Sequence, residues 1–117
     1  MLNDELWPVW LIKEGKLGTA QNLFYNMYNE LETLHGISAE SAFGIYDMKN
    51  EDVCTKEEFC RVIRIFFDDI VDEKDIELLL RLTITTSDAR INYRKFCKFM
   101  EKKLVRTFKN VTIKKKG

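Results

Sequence analysis

The sequence is short of what a turn-rich or covalently stapled fold would need. Its 117 residues include one proline and five glycines, a scarcity that favours helices over a turn-rich β architecture. Three cysteines, Cys54, Cys60 and Cys97, cannot pair completely. No secretory segment opens the chain, and no apolar run approaches the roughly 20 residues of a membrane span. A reduced, cytoplasmic setting is therefore expected, with each cysteine, set among apolar neighbours, acting as a small buried hydrophobe. Catalytic machinery is also missing. The single histidine, His35, falls at a helix end, where a cation favours the dipole, so a capping role is expected rather than that of a general base. No Ser/His/Asp set, zinc spacing, phosphate-cradling glycine loop or paired-carboxylate motif can be assembled, and no enzymatic activity is expected.

Net charge is absent as well, because nineteen basic residues cancel nineteen acidic ones. They are unevenly spread. Residues 47–77 carry eleven acids against five bases, whereas residues 94–117 carry ten bases against one acid. Such runs are ordinarily solvated helix faces and a frayed tail. The alternative is a basic tail that meets an anionic partner, such as an acidic protein segment, nucleic acid or a membrane surface. For the chain as a whole, nucleic acid is not the expected partner.

What is present is apolar: 45% of residues are hydrophobic and 12% aromatic, enough for one modest core. Residues 3–14 read as a short apolar helix ending at Gly15 and Gly18, with Pro8 limiting the helix before it. Trp7, Trp10, Leu11 and Ile12 form an N-terminal anchor that must dock, either on the chain's own groove or on a partner. Thr19 is the expected N-cap of a helix through about His35, carrying Leu23, Phe24, Met27, Leu31 and Leu34, with Gly36 as its C′ residue. Ser38 starts a short helix that reaches Asp47, and Thr55 or Lys56 opens another running to about Val71. Asp72 caps "EKDIELLLRL", and a last helix runs from about Tyr93 towards Phe108. The expected organisation is an apolar segment at 1–18, a helical domain at 19–107, and a basic flexible tail at 108–117.

Two stretches repeat. Phe43 stands four residues before Asp47, twelve residues run from Asp47 to Glu58, and Phe59 opens the following helix. "INYRKF", residues 91–96, matches the second half of the same pattern, with Cys54 and Ile91, and equally Phe59 and Phe96, 37 residues apart. A twelve-residue loop with two average helices predicts a repeat of about 35. The pattern resembles the EF-hand superfamily of calmodulin-like proteins over residues 39–104. The resemblance implies an all-α fold of paired EF-hand helix-loop-helix units with extra N-terminal helices. It also implies a short antiparallel contact between the eighth residues of the two loops, Cys54 and Ile91. "GISAESAF" has the same flavour, but Ile37 lies only 17 residues before Cys54, too near for a third unit. Residues 39–46 are therefore the entering helix of the first hand.

Calcium needs oxygen donors at loop positions 1, 3, 5, 7, 9 and 12, and a glycine at 6. The first loop offers Asp47, Glu51, the Val53 carbonyl, Thr55 and Glu58, but puts Lys49 at the third position and Asp52 at the sixth. It is a weak metal candidate. The second loop runs from Ile84, through Thr86 and Asp88, to Lys95, with no donor at the first position and a cation at the last, so no ion is expected there.

The resemblance further implies a groove for an amphipathic helix of a partner, lined here by Phe43, Phe59, Val62, Ile63, Phe66, Leu79, Leu80, Phe96, Phe99 and Met100. A non-catalytic, calcium-independent adaptor or light-chain-like subunit of a larger assembly, cytoskeletal in one version, is the expected function. The alternatives are a weak calcium sensor acting through the first loop and a regulatory module of a larger kinase or phosphatase.

Overall fold

The computed structural model describes residues 6–83 and 85–116, with side chains as far as Leu104. Its described residues are mainly helical, and their only β-type pairings are isolated antiparallel bridges. No described helix is long and apolar enough to cross a membrane.

Helix α1 spans Val9–Lys13 and begins directly after Pro8, whose fixed φ of −58 suits the position before a first turn. No helix precedes Pro8 among residues 6–8, and residues 3–5 of the expected helix lie outside the described residues. Gly15, at φ 68, closes α1. Its amide donates to the Ile12 carbonyl and the Lys16 amide to the Leu11 carbonyl, each at 3.0 Å, a Schellman closure. The Lys16 carbonyl then accepts from Ala20 at 3.0 Å, so α2 (Leu17–Glu30) starts at once. Thr19, the expected N-cap, therefore lies inside the first turn beside Gly18. The tight glycine closure leaves no room for a separate cap. Helix α2 passes into a π-helical turn, Leu31–His35, which ends on Gly36 at φ 62.

Ser38 caps α3 (Ala39–Phe43) by accepting from the Ser41 amide at 3.1 Å. This helix stops three residues short of the expected end, at Gly44. Helix α4 spans Lys56–Phe67, four residues shorter than expected, because the Ile70 and Val71 amides turn back to the Phe67 carbonyl. Helix α5 spans Glu73–Leu82, and α6 is helical over Tyr93–Lys116, beyond the expected end near Phe108. The tail side chains lie outside the described residues.

The 37-residue repeat has a structural counterpart. Asp52 and Ala89 occupy left-handed backbone at φ 67 and 65. Cys54 and Ile91 exchange both backbone hydrogen bonds, at 2.9 and 2.7 Å. Thr55 and Asn92 cap the helices that follow, accepting from Glu58 and Lys95 amides at 3.1 and 3.0 Å. Phe59 and Phe96 then meet edge to face at 5.4 Å.

Their apolar faces join in an aromatic cluster. Phe43 stacks on Phe59 at 4.9 Å and meets Phe96 edge-on at 5.7 Å, and Phe24 from α2 packs against Phe96 and Phe99 at 5.9 and 6.0 Å. Edge-to-face and offset contacts of this kind add to the stabilisation from burial alone. Cys54 and Cys97 are buried in this core and Cys60 is half-buried. Burial pushes the Cys54 thiol up to about 12 and raises those of Cys97 and Cys60, which makes them poor nucleophiles.

Candidate functional site

The 47–58 loop is held by donors from within the chain. The Asp47 carboxylate accepts from the Glu51 amide at 3.0 Å through Oδ1, and from the Asp52 amide and the Tyr93 hydroxyl, both at 2.8 Å, through Oδ2. Partial burial pushes the Asp47 carboxyl up. The Glu51 amide, the Tyr93 hydroxyl, the Asp52 amide and the charge of Arg94 together outweigh it, and the pKa lies below the ordinary value. For Tyr93 burial and the bonded anion act together and push the phenol up to about 12. The next residue on α6, Arg94, reaches Asp52 through Nε at 2.7 Å and Glu40 of α3 through Nη1 at 3.5 Å. One turn of α6 therefore ties the first loop to the entering helix α3.

Gly44 makes that approach possible. A Cβ built there would lie 2.9 Å from both the Tyr93 hydroxyl and the Glu40 carbonyl. The second oxygen belongs to the backbone, so it cannot easily yield.

All five candidate ligands of the first loop, Asp47, Glu51, Val53, Thr55 and Glu58, border one hollow of about 290 Å³, with Lys49 and Arg90 also on its rim. They do not converge on a point within it. Both Asp47 oxygens face protein donors, and Thr55 and Glu58 form a capping box in which Glu58 Oε1 accepts from the Thr55 amide at 2.9 Å. Among the described residues, no three His, Cys, Asp or Glu side chains gather as a metal-holding group. As placed, the donor set does not fit a calcium ion, which takes six to eight oxygens. In the second loop Thr86 and Asp88 bond each other and Arg90, and Ile84 lies outside the described residues.

The residues expected to line a partner groove lie elsewhere than on an open surface. Phe43, Phe59, Val62, Ile63, Leu79, Phe96, Phe99 and Met100 are buried, and Phe66 and Leu80 are half-buried. The chain covers these apolar side chains itself. Phe24 lies on them from α2, and Trp7 stacks on Phe24 at 5.4 Å while meeting Phe99 edge-on at 5.4 Å. Leu11 is fully buried, and Trp10 lies beneath the Arg81 guanidinium at 3.8 Å. Arg81 also grips Glu14 through two hydrogen bonds, at 3.0 and 2.8 Å, and this partner holds the Glu14 carboxyl down to about 2. Ile12, grouped with these anchors from the sequence, faces outward instead and is 55% exposed. On the five-residue α1 it sits one position past Leu11, which turns it away from the core.

Comparison with protein-family models, curated proteins and solved structures found no match to this chain.

Several residues of the site carry no signal in the sequence. Tyr93 and Arg94 look like ordinary first-turn residues of an amphipathic helix, and Glu40 and Gly44 like ordinary residues of the short helix expected at 39–46. They matter because α6 crosses the first loop, a long-range placement that local pattern does not encode. The Glu14–Arg81 pair spans 67 residues and is equally invisible in the chain.

Proposed function

We propose that the chain is a non-catalytic, calcium-independent protein-binding module of EF-hand-like build, an adaptor or light-chain-like subunit in a larger cytoplasmic assembly. The observation that carries the reading is the Asp47 carboxylate, which sits at the first position of the loop with its oxygens bonded to two backbone amides and the Tyr93 hydroxyl. Protein donors there do the work that a bound cation would do in a sensor, so the two units keep one arrangement at every calcium level. The repeated left-handed residues and the Cys54–Ile91 pairing support the EF-hand-like part of the reading.

The partner is an amphipathic helix that takes the place of the Trp7 segment. To displace the segment, a partner helix must replace the packing of Trp7 on Phe24 and Phe99 and the burial of Leu11, whereas the exposed Glu14–Arg81 pair at its end adds little to that cost. Calorimetry with calcium to millimolar concentration tests the switch, with neither heat nor shifted amide resonances as the expected result. A pull-down from native lysate recovers the same partner with and without calcium. A partner bound only with calcium overturns the reading. It would favour the weak sensor, whose supporting observation is the common hollow bordered by the five candidate ligands.

A further inference from the structure

Beside the π-helical turn lies a second hollow, of about 330 Å³, at the lower end of the range for ligand-sized cavities. Of the ten residues expected to form the groove, it shares only Met100. Its floor is apolar and buried, made by Leu31 of the π turn, Ala39 of α3 and Met100 of α6. Its rim holds Tyr28, Glu32 and Glu101. The Tyr28 hydroxyl hydrogen-bonds the Glu32 carboxylate, and the charges of both glutamates bear on it. Among the described residues that line the hollow there is no lysine or arginine.

The π turn borders this space: Leu31 and Glu32 of the turn and the left-handed Gly36 that ends it all line the hollow, and α3 after it packs on α6. Such turns are rare, and they recur at functional sites. An apolar shaft, an aromatic wall and two carboxylates at the mouth suit one chemistry: a long alkyl stem ending in a cation.

We propose that this hollow binds a single lysine or arginine side chain presented by the partner protein, its stem on Leu31, Ala39 and Met100 and its charge between Glu32 and Glu101. The proposal rests on the adaptor reading and supplies what that reading lacks, a charged determinant of partner choice. Two carboxylates of one sign reject acidic segments as well as accept basic ones, and specificity needs both.

The test uses the full chain and a fluorescein-labelled, 16-residue amphipathic peptide of leucine and lysine, followed by anisotropy at low salt. A second peptide has glutamine at every lysine. The E32Q/E101Q variant is compared with D68N/D69N, which removes the same charge from exposed residues after α4. Circular dichroism melts confirm that both variants fold. Expected is a loss of about tenfold in affinity for the lysine peptide with E32Q/E101Q, within the range for two exposed charge contacts, and less than about twofold with D68N/D69N. Equal losses in the two variants overturn the pocket assignment, since general attraction then explains the binding. Glutamine and lysine peptides of equal affinity also overturn it but leave the adaptor reading standing. Failure of both peptides to bind sinks the two together.

Discussion

Replacing Tyr93 by phenylalanine isolates one of the contacts that hold the 47–58 loop. The ring stays, so packing around the 4% exposed Tyr93 is preserved, and only the hydroxyl bond to Asp47 Oδ2 at 2.8 Å is lost. A hydrogen bond to a charged group contributes about 1.5–3 kcal/mol. Asp47 is only half-buried and keeps two amide donors, so the expected loss at pH 7 is about 1–2 kcal/mol. In urea denaturation followed by circular dichroism this moves the midpoint by roughly 0.5–1 M. The pH dependence is the sharper check. The folded pKa of Asp47 is below its ordinary value, so its bonds stabilise fully above about pH 4, the unfolded value, and fade as pH falls through the folded value. The gap between the parent and Tyr93→Phe proteins should therefore narrow progressively as pH falls below about 4. It should also shrink by half or more in an Asp47→Asn background, where the acceptor is neutral. At the alkaline end Tyr93 holds its proton up to about 12, so the stability it contributes is complete below about pH 10 and is lost between about 10 and 12. A loss of the same size at pH 7, at low pH and in the Asp47→Asn background would refute the reasoning, because packing rather than the charged bond would then be responsible.

Leu11→Ala should cost about 2–4 kcal/mol in the same assay, since Leu11 is fully buried although α1 is only five residues long; a cost near zero would mean the segment does not rest on the core in solution. Gly44→Ala should lower stability by about 1–3 kcal/mol through overpacking against the Tyr93 hydroxyl of α6 and the Glu40 carbonyl, and an unchanged thermal midpoint in both the parent and a Tyr93→Phe background would show that α6 does not approach Gly44 this closely.

The helices were legible because their signals are local. Ser38, Thr55 and Asp72 announce helix starts by side-chain capping, and each does cap. The apolar stripe of Phe59, Val62 and Ile63 marks the buried face of α4, and those residues are buried. The misplaced start at Thr19 came from weighing a threonine cap above a glycine turn, when the Gly15 closure had already positioned the chain. The grouping of Ile12 with Trp7, Trp10 and Leu11 failed because composition says nothing about the rotation of a five-residue helix.

The sequence alone determined that the chain is mainly helical, because capping and periodicity act between near neighbours along the chain. Only the tertiary structure decided that the aromatic face is covered from within, that Tyr93 and Arg94 supply donors to a loop more than 40 residues away, and that a π turn borders an acid-rimmed hollow. Those outcomes depend on which helix crosses which. Packing of whole faces chooses that crossing, and no short stretch of residues carries it.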